Sequence, residues 1–270
     1  MFMLYLLKFR LKVGDPRSSQ ADGRQDVTNA SQLHNELALG RSKLGTIFGD
    51  SAPLKLKSGE IFGAAAGSTD GIYHLRAGWA CQFHEFANGD RAIVDVYPPG
   101  DVVGLDTVLN TRPLAEILTL TAVTIEALPV SDALMQLMAD RSTALYIAWL
   151  LGQRQRRADR LLAAVSGLDA RGRLSTMVLD FYMRLRRRKL ITGLTYNLPL
   201  TQVQIGQYLG LTVVHINRVL RALRDEQIVD LEKHCVTILD FKRLTILARN
   251  GGMQRSKENG SEREEKEAAD

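Results

Sequence analysis

Residues 198–239 read LPLTQVQIGQYLGLTVVHINRVLRALRDEQIVDLEKHCVTIL, and this stretch organises the reading of the whole chain. Pro199 fixes φ and ends whatever precedes it. Thr201 has a hydroxyl that can accept an orphan helix N–H, and Gln204 follows three residues later, so the pair fits a capping box. Val203, Ile205, Tyr208 and Leu209 then form an apolar face at helical spacing. Gly206 suits a steep crossing by a second helix, and Gly210 suits a turn that needs φ > 0. Thr212 caps the next helix, expected from Val213 to about Gln227. Its core side is Ile216, Val219, Leu220 and Leu223; its other side carries His215, Asn217, Arg218, Arg221 and Arg224. Residues 228–231 and 236–239 then read as a short hairpin joined by Glu232, Lys233 and His234.

Two helices, a glycine turn and a following hairpin make a winged helix-turn-helix. A helix that shows Asn, His and Arg outward suits the major groove, where Arg pairs bidentately with guanine and Asn with adenine. The candidate base contacts are Arg218 and Asn217, then His215, Val214 and Arg221, with Val213 at the start of the same helix. Thr201 and Gln202, opening the first helix, are the candidate phosphate contacts. The alternative is a winged helix used for protein contacts alone.

The stretch resembles the C-terminal domain of the cyclic-AMP receptor protein/FNR (Crp/Fnr) family of bacterial transcription regulators, from residue 198 to 248. That family often carries a Glu and an Arg on the recognition helix. Arg218 matches the Arg, but Val214 holds the Glu position and cannot accept from cytosine N4. The resemblance implies a homodimer on double-stranded DNA with an inverted-repeat operator, and RNA polymerase as a partner.

Upstream, residues 54–128 change character. Strands are expected at 54–56, 72–75, 79–85, 92–97, 117–122 and 124–128, with turns at Gly59, Gly78, Asn88-Gly89 and Pro98-Pro99-Gly100-Asp101. Such regular short strands suggest a barrel or jelly roll. This part resembles the family's cyclic-nucleotide-binding fold, with Gly100-Asp101-Val102-Val103-Gly104 standing where those proteins carry a Gly-Asp-Phe-Phe-Gly-Glu run. The departures argue against a cyclic nucleotide. Leu105 stands where nucleotide binders place a Glu for the ribose. Arg112-Pro113-Leu114-Ala115 has no Arg next to a small residue, and Pro113 removes a donor. Ala158 and Asp159 stand where the binders have hydroxyls, and an acid there repels phosphate. No cofactor is expected, and an effector is left unidentified.

A helix capped by Ser131 is expected next, with Leu134, Leu137 and Met138 inward. Then comes a helix over 141–166, about 39 Å long at ~1.5 Å per residue. It carries Leu145, Ala148, Trp149, Gly152, Leu161, Leu162 and Val165, with Arg154, Arg156, Arg157 and Arg160 exposed. The resemblance makes it the dimer helix. Residues 168–173 look like the hinge into the second domain. A helix over 174–186 follows, with Leu174, Met177, Val178, Phe181 and Leu185 inward. The basic run Arg184, Arg186, Arg187, Arg188 and Lys189 reads first as a solvated loop, second as a phosphate contact. Asp240 caps a last helix ending near Ala248.

The expected fold is α+β, in five parts. Residues 1–50 are an extension, partly flexible, with a linker at 15–31 and a short helix facing Leu33, Leu37, Leu44 and Phe48 inward. Residues 51–130 are the nucleotide-binding-like barrel, 131–167 the dimerisation helices, and 168–249 the winged helix-turn-helix. Residues 250–270 are a disordered tail. The 270 residues suffice for two domains, and 45% hydrophobic content supports real cores. A net charge of +5 is compatible with nucleic acid without establishing it. Cys81 and Cys235 cannot make a four-cysteine metal or iron–sulfur site, and both are expected to be buried free thiols. The apolar run at 1–7 is far short of the ~20 residues that span a bilayer, and Lys8, Arg10 and Lys12 follow rather than precede it. A cytoplasmic protein without membrane contact is expected. Nothing resembles a nucleophile–base set or a phosphate loop, and the five histidines (His34, His74, His84, His215 and His234) are scattered, so no enzyme is expected.

Overall fold

The computed structural model describes residues 22–63, 71–105 and 116–250. The readings made for 1–21, for 106–115 and for the tail from 251 lie outside them.

The first element corrects the expected linker. Helix α1 runs Asp22–Gly49 without a break, so the polar stretch from Asp22 to Ser31 is helical. Its second half is anchored by Leu44 and Phe48, buried with Ile72, Leu128 and Ile147. Docking an apolar face stabilises a helix more than propensity does, and the turns before it extend the same hydrogen-bond ladder. Leu33, expected inward, is exposed, and Leu37 is half-buried.

Eight strands follow: β1 (Leu54–Leu56), β2 (Ile61–Phe62), β3 (Gly71–Ala77), β4 (Ala80–Glu85), β5 (Arg91–Tyr97), β6 (Val102–Val103), β7 (Glu116–Thr119) and β8 (Val123–Pro129). They form two antiparallel four-stranded sheets, ordered β1-β8-β3-β6 and β2-β7-β4-β5. This is the jelly-roll alternative. Phe62, Tyr73, Leu75, Val103, Ile117 and Ile125 form a core between the sheets. Asn88-Gly89 turns β4 into β5 as expected: Gly89 takes φ +81°, and the Phe86 N–H donates to Asp90 O at 2.8 Å. The strand expected at 117–122 stops at Thr119, because the Leu120 N–H turns to Trp79 O and the Thr121 hydroxyl accepts from the Trp79 N–H. β2 and β6 went unseen, since two residues show no alternation.

Helix α2 (Val130–Ala139) starts one residue ahead of Ser131, whose hydroxyl donates to Asp132 instead of capping. Of its expected inward residues, Leu134 is half-buried; the side chains of Leu137 and Met138 lie outside the described set. Helix α3 (Arg141–Gly167) has the expected length, and Asp140 caps it by accepting from the Thr143 N–H and hydroxyl. Lys43 on α1 pairs with Asp140, and Ser142 donates to Glu36, so α1 is fixed to the start of α3. Arg156 and Arg160 are exposed, but Arg154 and Arg157 are not. They turn to the sandwich, Arg154 donating to Gln82 Oε1 at 2.5 Å and Arg157 to Asp95 Oδ2 at 2.8 Å.

The expected hinge is two extended residues. The Leu168 N–H closes α3 on Ala164 O, and Asp169 caps α4 (Ala170–Arg187) through the Gly172 N–H. Leu174, Met177, Val178, Phe181 and Leu185 are buried as read. The basic run is mostly the end of α4 and not a loop, with Arg186, Arg187 and Lys189 exposed as read and the other two turned inward. Arg184 lies inside α4, buried against Asp101, and Arg188 pairs with the same carboxylate. The sequence hides this because the acids stand about 85 positions away, on the other domain.

The last part holds β9 (Thr195–Asn197), α5 (Gln202–Leu209), α6 (Val213–Asp225), β10 (Val229–Glu232), β11 (Cys235–Ile238) and α7 (Phe241–Asn250). β9 was not foreseen; it completes a sheet ordered β10-β11-β9. Cys235 is exposed at the start of β11, against expectation, whereas Cys81 is buried. Asp240 accepts from the Arg243 N–H and caps α7. One apolar core joins the two domains: Trp79 of the sandwich meets Phe181 at 5.9 Å between ring centroids, and Phe181 meets Tyr208 at 6.2 Å. Among the described residues no helix is long and apolar enough to cross a membrane.

Candidate nucleic-acid interface

The local geometry of α5 and α6 follows from few residues. The Thr201 hydroxyl accepts from the Gln204 N–H at 3.2 Å, and Gln204 Oε1 accepts from the Thr201 N–H at 2.8 Å. The capping box is complete. Gly210 ends α5 in the left-handed region at φ 64°. A Cβ on Gly206 would sit 2.5 Å from Leu211 O, so only glycine lets the turn fold back this closely. Thr212 then caps α6 through the His215 N–H. Val203 departs from the expected apolar face: it is exposed, since it sits on the first turn, beyond the reach of the core.

α6 is sharply two-sided. Ile216, Val219 and Leu223 are buried and Leu220 half-buried. His215, Asn217, Arg218 and Arg221 are exposed, and Val213 and Val214 open the helix at 37% and 77% exposure. Thr201 and Gln202 are exposed at the start of α5. All eight residues singled out from the sequence thus reach solvent, on the paired helices. The free backbone N–H groups and positive dipole end of α6 lie beside Val213 and Val214, where they favour a phosphate.

Other residues hold α6 in place. Glu226 at its C-terminal end accepts from Arg171 on α4 at 2.7 Å and from Arg243 on α7 at 3.0 Å. The Arg171 hydrogen bond, with both guanidinium charges, holds the Glu226 carboxyl below the usual carboxylate range against some burial. Arg224 points outward but is tied to Asp230 at 2.6 Å. The hairpin turn was not singled out as a site. Lys233 and His234 form it, both exposed and both at positive φ (48° and 65°). That leaves an ammonium and an imidazole at the hairpin tip, signalled in the sequence by a basic pair where a hairpin turn falls.

Comparison with known proteins bears on this arrangement. Residues 172–247 match the model of the Crp-like helix-turn-helix domain. The anaerobic regulatory protein of Pasteurella multocida is 24% identical over 198 residues, spanning 72% of this chain and 70% of its own. The transcriptional activator protein Anr of Pseudomonas protegens is 24% identical, spanning 72% and 79%. Among solved structures, FixK2 from Bradyrhizobium japonicum superposes with a TM-score of 0.63 at 20% identity, over 73% of this chain and 96% of that one. CooA from Carboxydothermus hydrogenoformans, in a variant form, superposes at 0.59 and 14% identity, over 75% and 90%.

Residues 172–247 are thus a Crp-like helix-turn-helix domain, and over about 70% of its length the chain is similar to regulators of the Crp/Fnr kind. Crp/Fnr proteins are transcription regulators and not enzymes, and this one is a sequence-specific DNA-binding regulator. Relative to the Crp/Fnr pattern, the residue after Gly104 is Leu105, buried at 3% exposure with no group for a ribose hydroxyl. Ala158 and Asp159 are exposed on α3, and Asp159 accepts from Gln155 at 2.7 Å. His74 of the sandwich lies 2.9 Å from Glu126. Among the described residues no group of three or more His, Cys, Asp or Glu is placed to hold a metal.

Proposed function

We propose that this regulator works as a homodimer that places two α6 helices in successive major grooves of an inverted-repeat operator. The outward face of α6 carries the reading: Arg218 and Asn217 contact bases, His215, Val214 and Arg221 add to them, and Val213, Thr201 and Gln202 hold the backbone. A dimer seam is available on α3. Leu145, Ala148, Gly152, Gln155, Asp159 and Leu162 recur at alternating spacings of three and four, and all but half-buried Leu145 are exposed. That spacing is the coiled-coil repeat. Two such dimer halves set the half-sites ~34 Å apart, one helical turn of DNA. The protein acts in the cytoplasm, meets RNA polymerase at the promoter, and needs no cyclic nucleotide.

Selection from random DNA at ~150 mM salt, with no ligand added, tests this, because that salt suppresses non-specific binding. Enrichment of an inverted repeat with half-sites about one turn apart is the expected outcome. A protein that enriches nothing, with or without cyclic nucleotide, is not a sequence reader of this kind.

A further inference from the structure

A cleft of about 220 Å³ opens where α3, α4, α7 and Tyr208 of α5 meet. It touches the dimer helix, the hinge and the helix-turn-helix together. It lies apart from the positions where the family's nucleotide binders hold their ligand. Its walls are apolar, from Leu161, Met177 and Met183 among others, and its charged lining is mainly arginine: Arg157, Arg160, Arg173 and Arg249 against Asp180.

Among the cleft's arginines, Arg173 differs from Arg157 and Arg160 in its partners. Asp180 is met by Arg160 at 3.0 Å and by Arg184 at 3.7 Å. Arg157 is met by Asp95 at 2.8 Å, although its Nε is buried without a hydrogen-bond partner. Arg173 has carbonyl partners instead: its Nε donates to Leu168 O at 3.0 Å and its Nη1 to Leu209 O at 3.3 Å. Among the described residues no carboxylate forms an ion pair with it. Carbonyls orient a guanidinium without neutralising it. The fork is therefore fixed, half-buried and positively charged at the edge of an apolar space. A carboxylate is the group that such a fork pairs with best.

We propose that this cleft binds a small monocarboxylate with a compact apolar body, anchored by Arg173. Size limits the body, since a cavity of ~150 Å³ accommodates benzene. A single ring, or a straight chain of similar volume, fits beneath the carboxylate. Occupancy reaches the DNA-reading half directly. Leu168 is the junction of α3 and α4, and Leu209 immediately precedes the Gly210 turn, so a ligand that redirects the Arg173 fork alters both. That coupling rests on the proposed function; the binding does not.

The test uses the purified full chain and titration calorimetry with benzoate and hexanoate, each beside its neutral amide. At least one carboxylate binds in the millimolar range or tighter, and its amide binds at least tenfold more weakly. Arg173→Gln weakens that carboxylate at least tenfold. Ala248→Phe, which fills the cleft from α7, does the same while leaving the Arg173 charge in place. Far-UV circular dichroism reports folding of both variants, and Ala248→Phe decides alone if Arg173→Gln does not fold. Failure of both carboxylates to bind, equal binding of acid and amide, or unchanged binding by folded Ala248→Phe overturns the site. No DNA enters these measurements, so their failure leaves the operator reading intact, and the converse holds for the random-DNA selection.

Discussion

Arg184 on α4 donates to Asp101 of the sandwich at 2.7 Å, and both side chains are almost wholly shut off from water, at 4% and 7% exposure. Asp101 also takes Arg188, and Arg184 donates to Val96 O at 2.7 Å. The contact joins the effector-type domain to the DNA-binding domain. Breaking one side of a buried ion pair strands the other charge, which typically costs ~3–5 kcal/mol. Asp101→Asn should lower unfolding stability by about that amount, measured by urea denaturation. A loss well under ~1 kcal/mol would mean water reaches the pair.

The same carboxylate makes stability depend on pH. Burial pushes the Asp101 carboxyl up, but Arg188, Arg184 and Arg157 outweigh it and hold the group below the usual range. A carboxyl depressed in the folded state contributes stability that is fully present above its unfolded value, ~4, and is lost as pH falls through the folded one. The urea midpoint should hold from pH 7 to about pH 5 and fall steeply below ~4. In Asp101→Asn the fall below that point should be shallower. Parallel curves for the two proteins would assign acid sensitivity elsewhere.

Arg218→Ala should cost ~1–3 kcal/mol at the selected operator and relax preference at one base position. Competition binding against single-base variants reads both effects. Equal weakening on every sequence would make Arg218 a phosphate contact only.

Val214 is 77% exposed on the first turn of α6, with no donor or acceptor in its side chain. A Glu at that place accepts from cytosine N4. Val214→Glu should therefore introduce a cytosine preference at one position of each half-site in repeat selections. An unchanged motif would place Val214 outside the groove.

Gly206→Ala tests the turn. The added Cβ meets Leu211 O at 2.5 Å, a backbone atom that cannot swing aside. Overpacking of this kind costs ~1–3 kcal/mol, and the melting temperature should drop accordingly. Cysteine labelling gives a separate check on the fold. Burial pushes the Cys81 thiol up to about 12, against the pull of Arg91, whereas Cys235 is exposed. A thiol-specific disulfide reagent at pH 8 should titrate one thiol in the native protein and two in urea. Two reactive thiols without urea would mean that β4 opens readily.

The DNA-binding half was legible because its determinants are local. Thr201 and Gln204 complete their box within four residues, Gly210 takes its φ within one turn, and the two faces of α6 show at helical spacing. The strand pattern of the sandwich was legible for the same reason. What escaped depends on distant partners. Arg184 and Arg188 looked like part of a solvated run because Asp95 and Asp101 are brought to them only by the fold. Arg157 looked exposed until β5 packed beneath it. The α1 helix is polar along its first turns and is held by Leu44 and Phe48 against α3 and β3, which sequence periodicity does not display. At the hairpin tip, the left-handed backbone of Lys233 and His234 was not visible, since that turn uses neither Asn nor Gly.

The buried acids of the sandwich occupy cations of the other half of the chain. Asp95 and Asp101 face Arg184 and Arg188 much as phosphate oxygens would. In the intact chain these cations are spent inside the protein and add nothing to sequence-blind attraction. Cut at the α3–α4 junction, the C-terminal half would present Arg184 and Arg188 together with Arg186 and Arg187 to any polyanion. The sandwich thus serves as an internal counterion for these two arginines.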